Sequence, residues 1–162
     1  MAQPRTTPPR RSKLPRWVPY FNAVAKPLLA LGVPMGPDIL LTVRGRRSGV
    51  PRTTPVAICE HGGRRGFISP FGETNWARNL RAAGRGTIRF GHRREEIRAV
   101  ELDQEGAVRF INEVIAPIAA ESKLGDWFVR NIDRIDLDHP AATAVGKPVF
   151  EIFPIESGRS HP

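Results

Sequence analysis

Four arginines, two glycines, two prolines and three hydroxyl residues fall within the twelve residues from Arg44 to Pro55, RGRRSGVPRTTP. A guanidinium fork pairs bidentately with phosphate or carboxylate oxygens. Gly45 and Gly49 allow backbone N–H groups to turn toward a bound anion, and Ser48 adds a hydroxyl donor. With Arg46, Arg47 and Arg52 around that concavity, the chemistry on offer is neutralisation of a few negative charges. The stretch lacks the GK[ST] ending of a nucleotide-triphosphate loop and is not a GxGxxG fingerprint. Spacing alone leaves a solvated β-turn, a nucleic-acid patch and an anion cradle open.

A second cluster lies in SPFGETNWARNL, Ser69 to Leu80. Ser69, Pro70, Gly72 and Thr74 mark a strand-to-helix junction, and the first turn of the helix exposes N–H groups to which an anion is attracted. Asn75 and Asn79 are four apart and share a helical face. Trp76 beside them either fills the core or packs on a flat ring system.

Other chemistries find little support. No GxSxG or HExxH occurs; His61, His92, His139 and His161 are scattered and Cys59 is the single cysteine, so no metal site is expected and no internal disulfide is possible. A lone cysteine fits a reducing, cytoplasmic compartment. The net charge of +9 favours anionic partners. Aromatic residues are not interleaved with the arginines as a base-stacking sheet requires, so no specific nucleic-acid partner is expected.

Several elements must position these residues. Asp38 to Gly45 and Thr53 to Glu60 read as strands flanking the arginine turn, and RGFISP after the tight turn HGGRR as a third. ETNWARNLRAAG changes to helical period, with Thr74 or Asn75 as N-cap, Gly84 as C-terminal stop, and Trp76, Leu80 and Ala83 on one face. Gly86 to Leu102 reads as two antiparallel strands around Gly91-His92. Asp103 caps a helix whose expected buried stripe is Val108, Ile111, Ile115 and Ile118, with Phe110 and Val114 beside it. Gly146 to Glu156 closes the chain as a further strand. Six strands with inserted rather than alternating helices predict a mainly β, α+β architecture: a small antiparallel barrel with flanking helices.

The 162 residues read as one domain over 15–162, behind a basic, proline-rich tail at 1–14. Trp17, Phe21, Val24, Leu28 and Leu31 recur at helical spacing. That segment predicts an N-terminal helix capping the core or an amphipathic contact with a membrane surface.

ILLTVRGRRSGVPRTTPV followed by NWARNLRAAGRGTIRFG resembles the deazaflavin-dependent nitroreductases, the actinobacterial split β-barrel flavin/deazaflavin oxidoreductases. The resemblance covers roughly Pro15 to Leu102. It implies an FMN-binding-like split β-barrel holding coenzyme F420, with FMN as the alternative cofactor, and hydride transfer to a hydrophobic acceptor such as a quinone, enone or nitroaromatic. By the same resemblance Arg46, Arg47, Ser48, Gly49 and Arg52 match the positions that hold the cofactor tail, and Pro55 and Val56 lie near the ring. Ser69, Pro70, Asn75, Trp76 and Asn79 match the second side of the groove. Tyrosines usual beside the acceptor are absent here, so Tyr20, Trp127 and Phe128 are expected to line the substrate pocket. No catalytic acid is identifiable. A lipid- or cofactor-carrying barrel without turnover is the competing expectation, and either a monomer or a homodimer is compatible.

Overall fold

The computed structural model describes residues 38–121, 123, 126, 129–130 and 135–155; the expected tail, the N-terminal helix, Tyr20, Trp127 and Phe128 lie outside them. Seven strands form one sheet: β1 (Asp38–Arg44), β2 (Pro51–Ala57), β3 (Cys59–His61), β4 (Arg64–Ile68), β5 (Arg85–Phe90), β6 (Arg93–Glu101) and β7 (Val149–Pro154). Their order is β2-β1-β5-β6-β7-β4-β3, every pairing antiparallel. The two edge strands of this order, β2 and β3, are consecutive in the chain and separated by Ile58 alone. The strand expected over Thr53 to Glu60 is therefore two, each paired with a different end of the sheet. The sheet curls on itself into a split barrel, with that bend as its seam.

Side chains alternate across the sheet. Leu41, Val43, Phe67, Ile97, Phe150 and Ile152 point inward to one core, which helix α1 (Asn75–Ala83) completes with Ala77 and Leu80. The opposite face of β4 and β7, at Ile68 and Val149, carries a second core against helical residues from 104 onward. Those residues run as α2 (Gln104–Phe110), a π-helical turn (Ile111–Ile115) and α3 (Ala116–Ala120); α4 (Pro140–Ala144) precedes β7.

The buried stripe of this run differs from the expected one. Ala107, Phe110, Ile111, Val114, Ile115 and Ala119 are buried, whereas Val108 and Ile118 are only half-buried. Pro117 has no N–H to donate and its ring crowds the carbonyl one turn earlier, so the helix widens just before it. Ala116 N–H accordingly donates to Ile111 O. The extra residue in that turn rotates the face that reaches the sheet.

Helix α1 is held from both ends. Thr74 is its N-cap, accepting from Ala77 N–H, and Gly84 in the left-handed region returns its N–H to Leu80 O. Arg81 bridges Glu73 (2.6 and 3.0 Å) and Glu101 on β6. Hydrogen bonding from Arg81 holds the Glu73 carboxyl below its usual range. Its folded-state pKa thus lies below the unfolded value of 4.5. The stabilisation is present above that pH and is lost as pH falls through the folded pKa. We expect Glu73→Gln to cost about 1 kcal/mol at pH 7, the pair being partly solvated. Thermal unfolding followed from pH 7 to pH 3 should show a shallower acid loss for the variant; parallel curves would refute this role.

Candidate functional site: an arginine-lined groove

The β1–β2 turn is closed by its own backbone. Gly45 N–H donates to Val50 O (2.9 Å) and Gly49 N–H to Gly45 O (2.8 Å), with Gly49 at φ 68°. Val50 N–H donates to Ser48 Oγ (3.3 Å), which leaves the hydroxyl proton of Ser48 available. Arg44 reaches back to Gly49 O at 3.4 Å. The N–H groups of Arg47 and Ser48 donate to none of the described residues.

The turn faces the start of α1 across a groove of about 630 Å³. Register explains its first wall: Leu41 pairs with Thr54 and Val43 with Arg52, so all four side chains share the inward face. Asn75, Trp76 and Asn79 supply the opposite wall. Trp76 fills the core, as one of its two readings expected, and its edge also reaches the groove. It packs edge-on against Phe67 at 6.3 Å and tilted against Phe150 at 6.1 Å, and it also lines the groove.

Charge in the groove is of one sign. Arg46, Arg47 and Arg52 line it, and no Asp or Glu is among the described lining residues. Arg46 is already engaged: its backbone N–H (3.2 Å) and its Nη1–H (2.9 Å) both donate to Asn79 Oδ1. Arg47 and Arg52 are exposed and have no partner among the described residues. Two guanidinium groups and a hydroxyl proton that are unengaged among the described residues, with an apolar wall of Trp76, Leu41 and Val43, form a donor set suited to a flat ring with an anionic extension.

Of the residues expected at the cofactor, Arg46, Arg47, Ser48, Arg52, Asn75, Trp76 and Asn79 thus come together around one groove. Gly49, Pro55, Val56, Ser69 and Pro70 lie outside its lining. Gly49 shapes the turn, and Val56 is buried in the inner core. Pro55 pairs with Leu40. Ser69 is buried, donating to Gly72 O (2.6 Å) and lying 3.0 Å from Thr74 Oγ1, so it builds the entry to α1 beside Pro70. Leu41, Val43 and Thr54 were missed by the residue reading. Two-residue alternation outward from Arg52 and its partner strand is the signal that locates them.

A model of the F420H(2)-dependent quinone reductase family matches residues 20–124, more than half of the 162 residues. The chain belongs to that family. It is an F420-dependent reductase on a split barrel, and coenzyme F420 is its cofactor. No curated protein matches this chain. Among solved structures it is similar to an F420-H2-dependent reductase, FDR-A, with 18% identity over 72% of this chain and 94% of that one, at a TM-score of 0.43. A proposed 5-nitroimidazole antibiotic resistance protein from Bacteroides thetaiotaomicron shares 11% identity over 81% of this chain and 80% of its own, at a TM-score of 0.51. The haem storage protein HutZ from Vibrio cholerae shares 11% identity over 75% and 83%, at 0.50. At these identities the last two establish the common fold alone. Among the described residues of this reductase no helix is long and apolar enough to cross a membrane, and no cluster of His, Cys, Asp and Glu is placed to hold a metal ion.

Proposed function

We propose that the groove between the β1–β2 turn and α1 holds coenzyme F420, and that the reductase passes hydride to a quinone. The observation that supports this reading most is the one-signed lining: three arginines without a carboxylate, beside an indole wall, in a chain of this family. Arg47 and Arg52 would pair with the phosphate and carboxylates of the cofactor tail, and Ser48 would add a neutral donor. Trp76 with Leu41 and Val43 would bound the deazaflavin ring and exclude water from one side of it.

Reduced F420, when bound, supplies a hydride. A quinone that takes up that hydride, two electrons and one proton, becomes the hydroquinone monoanion, so one further proton is required to give the hydroquinone. No carboxylic acid, imidazole, thiol or phenol is among the described groove residues. We assign that proton to solvent. The protein's contribution is binding and orientation, since the redox chemistry belongs to the cofactor.

Purified protein titrated with F420 should bind it and not FMN, and with reduced F420 should turn over a menaquinone analogue faster than an enone or a nitroaromatic of similar size. Equal or faster turnover of the nitroaromatic would displace the quinone as acceptor. Failure to bind F420 below about 100 μM, well above common cofactor affinities, would remove the groove reading itself.

A further inference from the structure

Arginines outside the groove divide into two populations. Arg64, Arg65, Arg81, Arg109 and Arg130 each bind a carboxylate. A second group stands on the outer face of the sheet, which helices cover at β4 and β7 but where β5 and β6 expose their side chains. Arg85 lies directly opposite Arg98, and Arg89 opposite Arg94. Arg44 follows two residues after Thr42, whose partner on β5 is Thr87, so it shares that face. All five arginines are exposed. Like charges directly opposite each other in a sheet repel, and the only carboxylate on this face between the two pairs is Glu96, opposite Thr87. Arg98 is also opposite Phe153 on β7, with its guanidinium 4.7 Å from the ring centre. Val100, two residues further along β6, shares the face. Phe153 is 38% and Val100 39% exposed.

We propose that this outer face of β5 and β6 is a docking surface for an anionic lipid bilayer. The arginines meet lipid phosphates, and Phe153 and Val100 enter the boundary with the acyl chains. Charge complementarity demands an anionic partner. It excludes a second copy related by a two-fold axis through this face, which would lay arginines on arginines. Phe153 and Val100 choose among the anionic partners. A phosphate backbone offers them no apolar surface, whereas a bilayer interface does. A duplex groove admits a free two-stranded ribbon, but β5 and β6 are interior strands flanked by β1 and β7. An isoprenoid quinone also resides in a bilayer, a supporting argument that rests on the quinone reading of the groove. This surface is distinct from the N-terminal segment, whose apolar spacing suggested a membrane contact of its own.

Co-sedimentation of the full chain with vesicles tests the proposal, using phosphatidylcholine with or without phosphatidylserine. Wild type should bind the anionic vesicles and not the neutral ones. Arg85→Gln/Arg94→Gln/Arg98→Gln should bind the anionic vesicles roughly 100-fold more weakly, at about fivefold per arginine. Its melting temperature should be unchanged or raised, because repulsive pairs are relieved. Arg109→Gln/Lys123→Gln/Arg130→Gln removes the same net charge elsewhere and should bind as wild type does. Wild type that ignores anionic vesicles, a first triple variant that binds like wild type, or a control that loses as much would each overturn the proposal. Tighter binding to duplex DNA than to anionic vesicles at the same salt would overturn it in favour of nucleic acid. Should the first triple variant fail to fold, Arg94→Gln and Arg98→Gln singly carry the test, at about fivefold each. Titration with F420 separates this surface from the groove. The first triple variant should bind F420 and reduce a short-chain quinone as wild type does, and loss of F420 binding would overturn the docking role. Wild type that fails to bind F420, with vesicle binding still lost in the variant, would remove the cofactor reading and leave the docking surface standing.

Discussion

Replacing Arg47 and Arg52 together by alanine is expected to lower the affinity for F420 by roughly 100-fold or more and to move the melting temperature by less than about 2 °C, if the groove holds the cofactor as proposed. A charge-assisted hydrogen bond is worth about 1.5–3 kcal/mol, so losing two costs at least about 3 kcal/mol of binding. The fold loses little because both side chains are exposed and make no contact among the described residues that holds the barrel together. Arg46→Ala behaves differently. It removes the guanidinium prong to Asn79 Oδ1 and loosens the tie between the turn and α1, so it should lower stability and affinity at once. Titration at two salt concentrations checks the mechanism, since wild-type affinity should fall with salt more steeply than that of the double variant. A double variant that binds as tightly as wild type would place the cofactor elsewhere.

The largest stability effect is expected at Gly66, far from the groove. A Cβ built there would lie 2.3 Å from Phe150 O and 2.6 Å from the Phe110 ring. Gly66 pairs with Glu151 on β7 and with Cys59 on β3, so its backbone is held on both sides. Phe110 is fully buried, and the Arg64 guanidinium sits over its ring at 5.3 Å, itself tied to Glu151 (2.7 Å) and Glu113 (2.6 Å). Nothing near the new methyl is the loose end of a flexible side chain. Gly66→Ala should cost about 3 kcal/mol or more, roughly 6–12 °C in melting temperature for a domain of this size. Thermal unfolding measures it, and a shift under about 2 °C would show that α2 can retreat from the sheet.

What could be read in the sequence followed the range of the signal. Helix α1 announces both ends through Thr74 and Gly84, and the β5–β6 hairpin announces its turn through Gly91. Local hydrogen bonding decides these elements, and neighbouring residues reveal it. The bend at Ile58 carries no glycine or proline, because it is imposed by which strands its two sides must pair with. The π-helical turn depends on Pro117, yet its consequence appears as a rotation of the whole stripe toward Phe110 and Val114. In the groove, residue types proposed the arginines and asparagines, but the link from Arg46 to Asn79 joins positions 33 apart in the chain. Only the folded chain shows that one of the arginines is already taken.

Strand β2 has β1 on one side and, among the described residues, no strand on the other, and it carries Pro51 and Pro55. In an antiparallel ladder alternate residues aim their N–H groups to opposite sides. Pro51 and Pro55 fall in the same alternation, and a proline is tolerated where its missing N–H would have faced outward. The open edge beside the groove is thereby deprived of two of its donors. A foreign strand approaching it finds no continuous ladder to extend, so this edge beside the arginine-lined groove has little tendency to nucleate chain-to-chain aggregation.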